Sequence, residues 1–252
     1  MMNLLAAEWI KTRSVRSTWL IALATVVVTV VVSLLGISGL MADWQADLPA
    51  DFDPTGNSLK GILVGQILIA TLGAQAITSE YSTGQIITSL TIAPRRGVFL
   101  TAKIAVATLV ALATAVVTVA CSFGAGQAAL TAAGLPTASL STPDTIRAVL
   151  CAVAYLVLTA ILGLAFGTLT RSSTGALAII VTVALLVPAL APGMPGILGE
   201  IAGTYWPTTA GQSSYSVTST GPLTPLAGLA VMAAFTLVTA IAAHITLKTR
   251  DA

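Results

Sequence analysis

Six charge-poor apolar runs constrain this chain more than any other feature of its sequence. They cover about residues 19–40, 61–79, 104–133, 148–170, 172–191 and 226–247. Each reaches or nearly reaches the roughly 20 residues that cross the hydrocarbon of a bilayer. Hydrophobic residues make up 56% of the chain and charged residues 8%, against about a quarter charged in soluble domains. We therefore predict an all-α integral membrane protein, with six transmembrane helices in a single domain over residues 1–252. The third run is longer than needed, which predicts a tilt or an interfacial turn near Gly124 and Gly126.

Lysine and arginine are distributed unevenly between the two ends of these spans. Two of them, Lys60 and Arg147, lie on one side, and nine lie on the side that holds both termini. The nine are Lys11, Arg13, Arg16, Arg95, Arg96, Lys103, Arg171, Lys248 and Arg250. Short cytoplasmic loops accumulate cations, so we predict a multi-pass protein with both termini in the cytoplasm. The membrane that we expect is a bacterial-type cell membrane. The net charge of +2 follows from this topology and does not indicate a nucleic-acid partner.

The residues before the first span have the pattern of an interfacial helix. Apolar residues recur near helical spacing between Met2 and Ile10, while Glu8, Lys11 and Thr12 fall mostly on another face. This pattern predicts a helix at about residues 2–16 that lies in the inner interface of the membrane. Two interpretations stay open, because the helix could be an elbow that carries motion into the first span or a plain anchor. Its candidate residues are Leu5, Trp9, Lys11 and Arg13.

A compact polar segment, residues 78–96, separates the second span from the third. Glu80 ends the second span with a charge, and Gly84 permits a sharp change of backbone direction. Residues 85–91 are long enough for two helical turns, and Pro94 stops them because the residue before a proline is pushed out of the helical region. The sequence therefore predicts a short cytosolic helix, nearly parallel to the membrane, on which a second protein could push. Arg95 or Arg96 could pair with Glu80, or the three charges could simply mark the interface.

Two further segments lie on the opposite, outer side. The loop at about residues 41–60 carries four aspartates, Asp43, Asp47, Asp51 and Asp53, without the spacing of a calcium loop, so a solvated loop is favoured over a cation site. Between the fifth and sixth spans, residues 197–205 are apolar but too short to cross. Such segments re-enter the membrane or lie in its interface, and Tyr205 and Trp206 fit the aromatic belt.

Catalytic chemistry has no support in this sequence. His244 is the only histidine, and no G-x-x-x-x-G-K-[ST] phosphate loop occurs, so the chain is not predicted to be an enzyme or to hydrolyse ATP. No charged residue lies near the middle of a predicted span, which argues against proton-coupled transport. If the chain takes part in transport, the energy comes from a partner or from an ion gradient, and the gradient is the less favoured source.

Several segments together resemble the permease subunits of ABC-2 type transporters. They are AEWIKTR at 7–13, RSTW at 16–19, FDP at 52–54, GQ at 65–66, TSEYSTG at 78–84, TSL at 88–90, PRR at 94–96, Lys103 and AGQ at 210–212. Ile87 departs from the family pattern, in which a basic residue is common. The resemblance implies a transmembrane exporter subunit whose cytosolic coupling helix docks on a separate ABC ATPase. The residues it assigns to that contact are Glu80, Tyr81, Gly84, Ile86, Ile87, Leu90, Arg95 and Arg96.

The resemblance also implies the composition of the complex. It predicts two copies of the ATPase, which would bind ATP and Mg, no cofactor in this chain, and a second permease copy that is identical or paralogous. It further implies outward transport and outer re-entrant half-helices between spans five and six that gate the exit. Spans rich in Thr, Ser and Gly without buried charge favour an amphipathic or lipid-like cargo. The alternative is a self-contained membrane protein, either an ATP-independent transporter or a structural or signalling subunit.

Overall fold

The computed structural model describes residues 2–43, 52–85, 96–218 and 221–249. It is 85% helix, and the described residues include no strand. Within these ranges, six helical segments are long and apolar enough to cross a membrane. The predicted all-α class with six spans is therefore confirmed.

The helices are numbered here in chain order. They are α1 Met2–Ser14, α2 Arg16–Asp43, α3 Pro54–Ser58, α4 Ile62–Ser82, α5 Arg96–Ala132, α6 Pro143–Thr170, α7 Ser173–Val181, α8 Val187–Leu190, α9 Ile197–Glu200, α10 Pro207–Ser213 and α11 Pro225–Thr249. A π-helical turn, Thr182–Leu186, joins α7 to α8, and a second one, Ile201–Tyr205, follows α9. The six spans are α2, α4, α5, α6, the α7–α8 run and α11.

The third span, α5, differs most from the sequence-based expectation. It begins at Arg96, about two turns before the expected start, and it continues without a break past Gly124 and Gly126. The interfacial turn considered near those glycines is therefore absent. With 37 residues, the helix is about 55 Å long at 1.5 Å per residue. The apolar run marks a later start because Lys103 interrupts it, whereas in the folded chain Lys103 is a buried residue of this helix that pairs with Glu8 on α1.

The contact between α4 and α6 forms the centre of the bundle. A Cβ atom on Gly73 would overlap the carbonyl oxygen of Ala160, and a Cβ atom on Gly163 would overlap that of Ala70. The two backbones therefore touch directly. Between membrane helices the hydrophobic effect contributes little, so close packing of small residues stabilises the contact instead. These two helices are accordingly the most buried of the six spans.

Asp53 joins two loops at the end of the bundle opposite α1. Its Oδ1 accepts hydrogen bonds of 2.9 Å from the backbone N–H groups of Thr55 and Gly56, which caps α3. Its Oδ2 accepts from the N–H of Val217 at 2.7 Å and from the hydroxyl of Ser216 at 3.2 Å. The expectation of a solvated acidic loop is wrong at this residue, because these donors replace water and leave Asp53 only 9% exposed.

The segment between the fifth and sixth spans packs back onto the π-helical turn after α7. The carbonyl oxygen of Val183 accepts hydrogen bonds from Trp206 Nε1 at 2.8 Å and from the Thr208 hydroxyl at 2.9 Å. A π turn interrupts the regular α-helical ladder, and Val183 lies inside this one. The short helices α9 and α10 occupy the region where the sequence predicts re-entrant half-helices, and their depth in the membrane stays a prediction.

Candidate functional site

The predicted coupling residues fall only partly within the described structure. Glu80 and Tyr81 lie in the last turn of α4. Gly84 then turns the chain with a φ of 70°, a left-handed conformation that favours glycine. Ile86, Ile87, Leu90 and Arg95 lie outside the described residues, as does the side chain of Arg96. Pairing of Glu80 with Arg95 or Arg96 therefore stays a prediction.

Four charged residues meet at the end of the bundle that carries α1, and we call Glu8, Lys11, Glu80 and Lys103 the ionic cluster. Nζ of Lys103 lies 2.6 Å from Oε2 of Glu8 and 2.9 Å from Oε1 of Glu80. Nζ of Lys11 contacts the same two carboxylates, at 2.9 Å from Oε1 of Glu8 and 3.0 Å from Oε1 of Glu80. The ionic cluster thereby connects α1, α4 and α5.

Most of the ionic cluster is shielded from solvent. Glu8, Glu80 and Lys103 are each 4% exposed, whereas the side chain of Lys11 is 42% exposed. Lys103 also donates to the carbonyl oxygen of Ala76 at 3.0 Å, so its ammonium group has three acceptors for its three N–H bonds. A buried charge is costly unless it is paired and hydrogen-bonded. Two carboxylates and two ammonium groups sum to zero, which makes this burial tolerable.

Local sequence explains how each helix presents its charge. Glu8 and Lys11 are three residues apart on α1 and share one helix face. Glu80 lies at the end of α4, and Lys103 lies within the first two turns of α5. For Lys11, burial disfavours the charged form, but hydrogen bonds and attraction from both carboxylates outweigh it and raise its pKa above the ordinary value of 10.5.

Sequence reasoning did not find two members of the ionic cluster. It assigned Glu8 to the polar face of an interfacial helix, and it used Lys103 only as a sign of membrane topology and as part of the family resemblance. One available signal was that Lys103 directly precedes the apolar run at residues 104–133, where a cation requires a counter-charge. The nearest candidates were the two glutamates at the same end of the bundle, Glu8 and Glu80.

A cavity of about 280 Å³ lies beside the ionic cluster, between α1, the start of α2, α4 and α5. Its polar end includes the ionic cluster and the hydroxyl groups of Ser17 and Ser79. Its other end is apolar and is lined by Leu72, Val106, Ala107 and Val110. Oε2 of Glu80 is buried at the polar end and accepts no hydrogen bond from the residues that the structure describes.

The other candidate residues of α1 show which way this helix faces. Trp9 is 38% exposed and Leu5 is half-buried. Arg13 is exposed, and its carbonyl oxygen accepts a hydrogen bond of 3.1 Å from Trp19 Nε1. Glu8 of α1 is therefore directed into the protein, whereas Trp9 and Arg13 are directed outward.

Tyr81, which the resemblance assigns to the contact with an ATPase, makes contacts within the chain. Its ring packs against a buried apolar cluster that includes Ile77 and Phe99. The guanidinium group of Arg171 lies 5.6 Å from the ring centre, within the range of a cation–π interaction. Tyr81 is half-buried, so part of the ring is committed to the bundle itself.

A second polar network lies inside the bundle. The hydroxyl of Tyr155 on α6 donates to Oε1 of Gln66 on α4. Nε2 of Gln66 donates to the carbonyl oxygen of Ala184 at 3.3 Å, and Nε2 of Gln212 on α10 lies 3.5 Å from the same tyrosine hydroxyl. The network joins three spans, α4, α6 and the fifth span at Ala184, to the segment between spans five and six.

The fold and the ionic cluster define a multi-pass α-helical membrane protein with a charged, cavity-bearing junction at one end. The family model of the ABC-2 family transporter proteins matches residues 4–189, a range that contains all four members of the ionic cluster. The chain therefore belongs to this family, which confirms the resemblance seen in the sequence. Proteins of this family are membrane components that generally lack an ATPase site of their own and work with an ABC ATPase. A comparison with curated proteins finds no match.

Proposed function

We propose that this chain is the membrane-spanning permease subunit of an ATP-driven ABC exporter and that it couples to a separate ATPase subunit. The observation that carries the proposal is the ionic cluster. It ties α1 to the ends of α4 and α5, and these two helices flank the segment at residues 83–95. A force applied to that segment would reach α4, α5 and α1 together.

The strength of this junction follows from its burial. Separating a buried charge from its partner costs about 3–5 kcal/mol, more than the roughly 1 kcal/mol at most of an exposed ion pair. Glu8, Glu80 and Lys103 are buried together. We therefore expect α1 and the adjoining parts of α4 and α5 to move as one unit. This supports the interpretation of α1 as an elbow over that of a plain anchor. Ile86, Ile87 and Leu90 remain the proposed apolar contacts with the ATPase.

The distribution of cations supports the orientation that this mechanism needs. Nine of the eleven lysines and arginines lie at the α1 end of the spans, which favours a cytoplasmic location for that end, where ATP is available. The sequence has no phosphate-binding loop, so ATP and Mg would bind in the partner. We expect two ATPase subunits and a second permease copy, with transport directed outward and an amphipathic or lipid-like cargo.

The test is purification of the tagged chain from its native membrane in a mild detergent, followed by mass spectrometry of the bound proteins. We expect an ABC ATPase in near one-to-one ratio to the chain. Glu80→Ala should lower that ratio, because it removes the carboxylate that both lysines contact. Glu200→Ala is the matched control, since Glu200 is exposed and lies in α9, far along the chain from the ionic cluster.

A second measurement separates docking from coupling. ATPase activity is compared in proteoliposomes that contain the complex with wild-type chain, Glu80→Ala or Glu200→Ala. Coupling through the ionic cluster predicts that the ATPase turnover supported by Glu80→Ala is reduced per bound ATPase. Recovery of the folded chain without any ATPase would refute the proposal and favour a self-contained membrane protein.

A further inference from the structure

The cavity beside the ionic cluster has the depth and polarity profile of one membrane leaflet. Along α4 its lining runs from Leu72 to Glu80, and along α5 from Val110 back to Lys103. At 1.5 Å per residue each stretch covers about 10–12 Å, close to half of the roughly 30 Å hydrocarbon core. On both helices the apolar residues lie deeper in the span than the charged residue, which is Glu80 in the last turn of α4 and Lys103 about two turns from the start of α5. The cavity is therefore ordered as a lipid is ordered, with its polar part at the surface.

The polar end has an unmet requirement for a hydrogen-bond donor. The ionic cluster is neutral as a whole, and Lys103 already contacts three acceptors. Oε2 of Glu80, in contrast, accepts no hydrogen bond from the described residues. The terminal torsion of a glutamate side chain is broad and roughly two-fold, so a small rotation can turn this oxygen toward the cavity. A ligand that suits this end must bring an N–H donor, and a charged donor forms the stronger hydrogen bond with a carboxylate.

We propose that this cavity binds an amphiphile that carries a primary ammonium group. The ammonium donates to Glu80, and the first part of the apolar chain lies against Ala107 and Val110. The volume of about 280 Å³ is near the lower end of the roughly 300–1,000 Å³ of ligand pockets, which fits a head group and the upper part of one chain. A quaternary ammonium of similar charge has no N–H bond and would leave the carboxylate oxygen without a donor. This site requires no ATPase, so it stands or falls separately from the proposed coupling role.

The experiment uses the full-length chain alone, purified and delipidated in detergent, with binding measured by native mass spectrometry. The lipid probes are phosphatidylethanolamine and phosphatidylcholine with identical acyl chains. Phosphatidylcholine cannot donate an N–H bond to the carboxylate, and a hydrogen bond to a charged group is stronger than one between neutral groups. We therefore expect phosphatidylethanolamine to bind about tenfold or more tightly than phosphatidylcholine.

Dodecylammonium and dodecyltrimethylammonium form a second pair of probes, which distinguishes a soluble cationic amphiphile from a membrane lipid. Binding of dodecylammonium in preference to its trimethyl analogue would show that the ammonium and one chain suffice. If the chain prefers phosphatidylethanolamine to phosphatidylcholine but binds both detergents equally, the occupant is the membrane lipid.

Two variants locate the site. Glu80→Gln keeps the shape of the side chain but replaces one acceptor oxygen by an N–H₂ donor, so the preference for the primary ammonium should fall to about onefold. Ala107→Leu fills the apolar end of the cavity and leaves the ionic cluster intact. It should therefore weaken the binding of both phospholipids equally and the binding of both detergents equally. Its thermal unfolding, compared with that of the wild type, checks that the fold is retained. Equal binding of both phospholipids together with equal binding of both detergents by the wild-type chain would overturn the proposal, as would a preference that survives Glu80→Gln unchanged.

Discussion

Replacement of Lys103 by methionine should destabilise the folded chain severely. The variant keeps a long side chain but removes the cation that lies 2.6 Å from Glu8 and 2.9 Å from Glu80. Glu8 and Glu80, which are each 4% exposed, would then share Lys11 as their cation. The side chain of Lys11 is 42% exposed. Removing one partner of a buried ion pair costs about 3–5 kcal/mol, and we expect a loss in this range for the free energy of unfolding.

The measurement is reversible unfolding in mixed micelles of dodecylmaltoside and SDS, followed by tryptophan fluorescence. Lys60→Met serves as the matched control, because Lys60 is exposed and such a surface change lies within about 0.5 kcal/mol. In the double variant Glu8→Gln with Lys103→Met, one of the stranded charges is gone, so its loss should be smaller than the sum of the two single losses. A loss for Lys103→Met no larger than that for Lys60→Met would refute the assignment of a buried, energetically coupled cluster.

Three further predictions use the same unfolding assay. Because folding raises the pKa of Lys11 above 10.5, the contribution of its charge is fully present below that pH and is lost as the pH rises through the higher, folded-state pKa. Between about pH 9 and 12 the wild-type stability should fall more steeply than that of Lys11→Met, and parallel curves would contradict this. Gly73→Ala should cost about 1–3 kcal/mol or more, since its Cβ would overlap a carbonyl oxygen of α6, whereas Gly124→Ala, with nothing within 4 Å, should be neutral or stabilising by up to about 1 kcal/mol. Tyr155→Phe should cost about 1–3 kcal/mol by leaving a buried glutamine oxygen without its donor, and an equal loss in the exposed control Tyr205→Phe would show that the hydroxyl is not responsible.

The six spans could be predicted from sequence because exclusion of water from a bilayer core acts on each segment separately. A run of about 20 apolar residues reports this local requirement directly. The ends of the helices depend on contacts with residues elsewhere in the chain, so the sequence alone predicts them less well. The start of α5 is the clearest case, because Lys103 looks like a boundary in a hydropathy profile and becomes an interior residue only when Glu8 and Glu80 neutralise it.

The candidate site could be predicted only in part, because local sequence shows where a charge ends an apolar run but not which residue it contacts. Glu80 ends an apolar run and is visible as a charged boundary, whereas its contacts depend on the fold. Glu8 and Lys103 are 95 residues apart, and no periodicity connects residues at that separation. Asp53 does carry a local signal in the sequence. Aspartate followed by proline is the pattern of an N-cap with proline in the first helical turn.

The direct contact between the backbones of α4 and α6 limits how this bundle can deform. Side chains adapt to a shift by changing rotamers, but peptide groups that already touch have no such freedom. The pair at Gly73–Ala160 and Gly163–Ala70 can therefore tilt as a body and cannot slide without first separating. The start of α4 also touches α2, because a Cβ atom on Gly61 would overlap the carbonyl oxygen of Thr29. Relative displacement is left to the α7–α8 run, which has the least buried surface of the six spans. The chain thus has a rigid central group of helices around which its fifth span can reorient.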